Sequence, residues 1–83
     1  MPPVSEELEE LVRTMVDHPD EVEVWEVPDG RTVRLELAVD PDDLGKVIGR
    51  QGRTARAIRA LLDVRGARDG ARYELKILEE DDL

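Results

Sequence analysis

Two glycines three residues apart, Gly49 and Gly52, enclose Arg50 and Gln51 in the run Lys46-Val47-Ile48-Gly49-Arg50-Gln51-Gly52-Arg53. That combination suits phosphate chemistry. Gly49 is free to take a positive φ, and Gly52, lacking a Cβ, lets a ligand backbone come close to main-chain N–H groups at the positive end of a following helix. Helix ends of this kind seat phosphate. Arg50 within the turn and Arg53 just after it add charge and directed donors, which fits a polyanion better than a small neutral ligand.

Other chemistry finds little support. The chain has no cysteine and a single histidine, His18, so neither a thiolate nucleophile nor a histidine pair is present. Gly45 to Gly52 lacks the Lys-Ser/Thr ending of a Walker loop, and no acid pair stands out from the many surface carboxylates. The spacing predicts no enzyme and no cofactor. The acidic run 79–82 lacks the glycine-punctuated pattern of a calcium loop, so no metal site is expected and the run reads as a hydrated end. One Trp, one Tyr and no Phe cannot build an aromatic base-stacking sheet. Trp25 is expected to be a packing or rim residue, and His18 a structural one.

A net charge of −9 over 83 residues argues against nucleic acid when taken as a whole. Its distribution argues the other way. From Leu44 to Arg72 there are eight Lys or Arg against two acids, a local charge of +6, which leaves −15 for the remainder. Such segregation lets a basic surface meet phosphate while the acidic bulk maintains solubility.

The elements that must position these residues follow from periodicity. Ser5, followed by Glu6 and Glu7, is expected to cap a first helix with Leu8, Leu11, Val12, Met15 and Val16 on its apolar side, ending near Asp17 ahead of Pro19. Glu21 to Val27 reads as a strand, Pro28-Asp29-Gly30-Arg31 as a hairpin turn, and Val33, Leu35, Leu37 and Val39 as the buried face of a second strand. Asp40-Pro41 predicts a helix start, with Leu44, Val47 and Ile48 apolar and Gly49 as a left-handed cap. Arg53 to Val64 places Ala55, Ile58, Leu61 and Leu62 on one arc and Arg53, Arg56 and Arg59 on the other. Arg65 to Gly70 reads as a glycine-containing connection and Arg72 to Ile77 as a last strand.

The order helix, strand, strand, helix, loop, helix, strand predicts a two-layer α+β domain. Its three-stranded sheet should be mixed, because two helices separate the last strand from the hairpin. One domain spans 1–83, with a core of about 4–78 and an acidic tail 79–83. No apolar run is long enough for a signal peptide or a membrane span, and the absence of cysteine fits a reducing compartment, so a soluble cytoplasmic protein is expected.

Ile48-Gly49-Arg50-Gln51-Gly52-Arg53, with Ile58 in the next helix, resembles the Gly-x-x-Gly motif of KH domains, which clamps the backbone of four nucleotides. Nearly the whole chain is similar to the small stand-alone bacterial KH proteins of the KhpA type, including Asp17-His18-Pro19 and Gly45-Lys46-Val47-Ile48-Gly49. The resemblance implies a type II KH fold of order α-β-β-α-α-β, three helices packed on the sheet. It also implies single-stranded RNA as ligand, with single-stranded DNA a second possibility, and contacts from Lys46, Val47, Ile48, Gly49, Arg50, Gln51, Gly52, Arg53 and Arg56. Gly49 to Gly52 would hold phosphates, Arg53 and Arg56 add charge, and Val47 and Ile48 form an apolar groove. The implied role is post-transcriptional regulation or RNA chaperoning, linked to cell division, cell shape and cell wall organisation. The alternative is an assembly module: a homodimer, or a partner of a larger KH-containing protein of the KhpB (Jag) type.

Overall fold

The computed structural model describes residues 3–82. The chain forms α1 (Val4–Arg13), β1 (Glu23–Asp29), β2 (Thr32–Ala38), α2 (Leu44–Ile48), α3 (Arg53–Asp69) and β3 (Arg72–Ile77). The sheet order is β1-β2-β3, with β1 antiparallel and β3 parallel to β2. This is the α+β order and mixed sheet of a type II KH domain. No helix among the described residues is long and apolar enough to cross a membrane.

Alternation in β2 dictates the layers. Leu35 and Leu37 are wholly buried and stand beside Leu75 and Ile77 of β3, so one face of the sheet is apolar and must be covered. Val4, Leu8 and Val12 of α1, Val47 of α2 and Ile58 and Leu62 of α3 cover it. Trp25, paired with Glu36, remains 44 % exposed.

Several boundaries differ from the sequence expectation. Helix α1 starts at Val4 with Pro3 as its N-cap, so Ser5 lies inside the first turn and caps nothing. It stops at Arg13 rather than near Asp17, because the Thr14 hydroxyl donates to the Leu11 carbonyl (2.6 Å) and a Pro19–Glu21 3-10 turn follows. That turn also delays β1 to Glu23. Residues 65–69, expected as a connection, are the last turn and a half of α3. Gly66 is buried there, and a Cβ on it would stand 2.6 Å from the Ala71 carbonyl oxygen, so the glycine admits close helix–strand packing. Arg65 spans from Glu7 to Asp69, whose carboxylate also accepts the Tyr73 hydroxyl at 2.8 Å. The Tyr73 hydrogen bond and Arg65 together hold the Asp69 carboxyl below its ordinary range against the opposing effect of burial. Gly70, left-handed at φ 67°, ends the helix.

Two further expectations are corrected. Leu61 is 59 % exposed, since only the stripe Ala55, Ile58, Leu62 and Gly66 turns inward. The acidic tail is not simply hydrated chain: Glu80–Asp82 form a 3-10 turn, the Asp82 carboxylate accepts the Glu79 N–H at 2.9 Å, and Lys76 lies 3.6 Å from it. Met1, Pro2 and Leu83 lie outside the described residues.

One buried carboxylate joins the first half of the chain to the second. Asp43 is 0 % exposed and accepts the N–H groups of Asp17 (3.1 Å) and His18 (2.9 Å), the His18 ring Nδ1 (3.0 Å) and Lys46 Nζ (3.4 Å). His18 therefore has a structural partner. Burial alone would raise the Asp43 pKa, but the two backbone donors, the ring and the ammonium outweigh it and hold the carboxyl at about 2. The same hydrogen bond, donated by the ring to Asp43, raises the His18 pKa.

The two shifts act on opposite sides of neutrality. Asp43 stabilises the fold fully above its unfolded value of about 4 and ceases to do so as pH falls towards 2. His18 stabilises fully below its unfolded value of about 6.5, and that contribution disappears as pH rises through its raised folded value. Melting temperature should therefore peak in mildly acidic solution and fall on both sides. In His18→Gln the alkaline decline should flatten while the acid one persists. Identical pH profiles for the variant and the wild type would remove the role given to the imidazolium.

Candidate nucleic-acid interface

Helix α2 is set in place before the loop begins. The Asp40 carboxylate accepts the Asp42 N–H at 2.9 Å, Pro41 opens a 3-10 turn, and that turn leads into α2. Val47 is then locked into the core. Gly49 closes α2 with its N–H on the Gly45 carbonyl (2.8 Å), at φ 76° and ψ 168°. This is not the left-handed cap expected from sequence but an extended positive-φ conformation essentially confined to glycine. The Gly52 N–H reaches the Gly49 carbonyl at 3.0 Å, so the four residues form a tight turn. Gln51 takes φ 56°, ψ 25° within it, the one non-glycine residue at positive φ among those described. Gly52 follows in the left-handed region (φ 74°, ψ 13°) and caps the seventeen-residue α3. Three positive-φ residues in four thus turn the chain and present the N-terminal end of a long helix beside the turn.

Charge around this turn is left uncompensated. Among the described residues Arg50, Arg53, Arg56 and Arg59 are exposed, and none pairs with a carboxylate. Arg13, Arg34, Lys46, Arg65, Arg72 and Lys76 all do. Arg53 Nη2 instead donates to Gln51 Oε1 (3.3 Å), and an Arg56 guanidinium nitrogen lies 3.5 Å from where a Cβ on Gly52 would stand.

Beside the turn runs a groove of about 360 Å³, lined on one side by Ile48, Gly52, Ala55 and Arg59 and on the other by Leu75, Lys76, Ile77 and Glu79. A second hollow of about 320 Å³ shares Arg59 and Leu75 with it and adds Asp63, Arg72, Tyr73 and Glu74. The structure thus brings Ile48, Gly49, Arg50, Gln51, Gly52, Arg53 and Arg56 to one end of an apolar-floored groove.

Two of the residues expected at the interface are engaged elsewhere. Val47 is wholly buried in the core and lines no groove. Lys46 Nζ sits 2.5 Å from Asp17 and 3.4 Å from Asp43, and the Asp17 hydrogen bond raises its pKa, so it belongs to the cluster that anchors α2. Conversely, Ala55, Arg59, Leu75 and Ile77, which the sequence does not single out as contacts, line the groove. The spacing of Gly52, Ala55 and Arg59 at i, i+3 and i+7 could have signalled a shared stripe, but the apposition of β3 is tertiary. His18, Asp40 and Asp42 bring ligand atoms within 4.8 Å of one another. The His18 ring is already bonded to Asp43 and the Asp40 carboxylate to Asp42 N–H, so this trio serves the anchor.

The chain matches the family described as KhpA/KhpB, KH domain over residues 5–77. It is 44 % identical over 72 residues to a protein of Halalkalibacterium halodurans, covering 87 % of this chain and 95 % of that one. A protein of Aquifex aeolicus is 49 % identical over 72 residues, covering 87 % and 91 % respectively. One of Streptomyces coelicolor is 51 % identical over 72 residues, covering 87 % and 90 %. Each of the three is named RNA-binding protein KhpA. No solved structure matches the chain.

The two glycines of the turn should respond differently to alanine. At Gly49 a Cβ would stand 2.2 Å from Thr54 Oγ1 and 2.8 Å from its backbone nitrogen, so the start of α3 must shift and stability should fall by well over the roughly 1–2 kcal/mol of a left-handed residue. At Gly52 the space is open save for Arg56, so the loss should stay near 1–2 kcal/mol. The larger effect of Gly52→Ala should be on ligand affinity, since its Cβ stands where a phosphate would approach. Melting curves and RNA titrations of both variants check this; equal melting temperatures would contradict it.

Proposed function

This chain belongs to the KhpA/KhpB KH-domain family, and we propose that it binds short single-stranded RNA without catalysis. The observation that carries this reading is the set of four exposed arginines free of carboxylate partners, gathered beside a Gly-x-x-Gly turn and an apolar-floored groove. Elsewhere the described cations are largely neutralised by ion pairs. Gly49, Arg50, Gln51 and Gly52 would hold the phosphate backbone, Arg53 and Arg56 add charge, and Ile48, Ala55, Leu75 and Ile77 lie beneath the bases. The names of the related proteins support RNA as the ligand. On this reading the protein acts in the cytoplasm as a post-transcriptional regulator or RNA chaperone. A link to cell division and envelope control rests on the family resemblance alone.

A second reading, assembly with another copy or with a larger KH-containing protein of the KhpB type, is favoured by one observation. Leu11, Leu61 and Val64 are 38 %, 59 % and 70 % exposed, and Leu11 and Leu61 line a common hollow between α1 and α3. Leu61 stands about 200° round α3 from Arg59. Assembly there would leave the groove free, so the two readings are compatible.

The test is a double substitution, Arg50→Asp with Gln51→Asp. Both side chains are exposed, and aspartate tolerates the left-handed conformation of residue 51. Circular dichroism and melting should be unchanged while affinity for a pool of short RNAs is abolished. In the wild type, log affinity should fall with log salt at a slope of about −2, three phosphate contacts at about 0.7 each. Arg56→Ala should make that slope shallower by up to about 0.7, whereas Arg13→Ala, paired with Glu9 on α1, should leave it alone. Unchanged affinity in the double variant would overturn the reading.

A further inference from the structure

We propose that Arg59 determines base specificity in this groove, selecting a base with two adjacent acceptors on one edge, guanine or cytosine, over adenine and uracil. The inference rests on the RNA-binding reading above. Arg59 is seven residues along α3 from Gly52, a rise of about 10 Å, on the same stripe as Gly52, Ala55 and Asp63. Two helical turns separate it from the site of the phosphates. Where Arg56 lies back against Gly52, Arg59 crosses the groove, lining both hollows and donating through Nη2 to the Leu75 carbonyl at 3.4 Å.

That single bond orients the guanidinium without neutralising it. A backbone carbonyl, not a carboxylate, holds one of five donors, so the other donors of the planar fork stay available to a base in the hollows that Arg59 lines. The floor beneath is apolar: Ala55 and Leu75 are buried, and Ile48 and Ile77 are half-buried. A base placed there loses water on one face, so a donor set against a donor is costly. Guanine offers O6 and N7 side by side, and the arginine fork matches that pair. Cytosine offers O2 and N3 in the same relation. Adenine places its amino donor beside both N1 and N7, and uracil separates O2 from O4 with N3–H, so neither presents two adjacent acceptors.

Asp63, one turn further along α3, completes the pattern. It lines the adjoining hollow and can accept from the donor next to the acceptor pair, N1–H of guanine or the N4 amino group of cytosine. Its charge, with that of Glu74 in the same hollow, also disfavours phosphate there. The groove beyond Ala55 is therefore suited to a base rather than to backbone.

The experiment titrates the full chain with heptamers of uridylate carrying G, C, A or U at the centre, for wild type, Arg59→Met and Arg59→Lys. Wild type should bind the G or the C heptamer at least about fivefold more tightly than the A and U heptamers. The G and C arms show which base is preferred. Arg59→Met should erase the difference, its affinity for the G or C heptamer falling to that for the A and U heptamers. Arg59→Lys keeps the charge and the stem but not the fork, and should lose selectivity likewise even if the methionine variant melts early. Equal binding of all four heptamers by wild type, or a preference for A or U, overturns the proposal. So does a uniform loss of affinity in Arg59→Met with a slope shallower by about 0.7, which is the mark of a phosphate contact. Those outcomes leave RNA binding itself intact; failure of wild type to bind any heptamer at low salt overturns both.

Discussion

The Asp43 carboxylate, buried and surrounded by donors from Asp17, His18 and Lys46, is the constraint on which the rest depends. Helix α2 has five residues, too few to hold its shape unaided. Its direction is set by Val47, sunk in the core, and by Asp43 at its entry, tied to the backbone of Asp17 and His18. A buried charge is tolerable only when its lone pairs are met, and here they are met by two main-chain N–H groups, an imidazole and an ammonium. The segment after α1 thus fixes the launch point of the Gly49 to Gly52 turn. Positioning of the turn begins far upstream of it, at Asp17 and His18.

From that launch point the backbone permits little choice. Gly49 cannot carry a side chain because Thr54 fills the space, while Gly52 stands open, and between them Gln51 accepts a positive φ that most residues avoid. Strain of this kind persists only where the surroundings enforce it. Here the enforcing elements are the anchored α2 and the long α3, whose inward stripe of Ala55, Ile58, Leu62 and Gly66 is held against the sheet. Electrostatics then follows from geometry. The strands and α1 use their cations in ion pairs, Lys76 with Asp82 of the tail, so a chain of net charge −9 still carries an unneutralised basic edge around the turn.

Much of this was legible in the residues, and what was not has physical causes. Alternation at Val33, Leu35 and Leu37 and the Asp40-Pro41 signal depend on local geometry, as do the paired glycines of the turn, and all of them surface in sequence. Arg65 to Gly70 misled because two glycines in six residues look like loop; in fact Gly66 is demanded by contact with Ala71 and only Gly70 ends the helix. Lys46 and Val47, expected as contacts, have other partners for a related reason. Proximity in sequence to the turn does not say which way a side chain points on a single-turn helix, and one residue is claimed by Asp17 and the other by the core. Asp43 itself gave no signal, because its partners lie twenty-five residues away and satisfaction of a buried charge cannot be read from local pattern.

The opposition of Leu61 and Arg59 on α3 has a consequence for how one short chain could serve two kinds of partner. A helix of seventeen residues offers an inward stripe and enough arc for two further faces, and here one is apolar and the other cationic. Because both are carried by the same rigid element, anchored through Gly66 to β3, a contact on the apolar face need not deform the groove. It could still add to RNA affinity by holding two grooves together, since a second site on a tethered partner acts at high effective concentration. For a domain this small, with only a few arginines free to meet phosphate, joining grooves in that way would lengthen the RNA contact without requiring a larger fold.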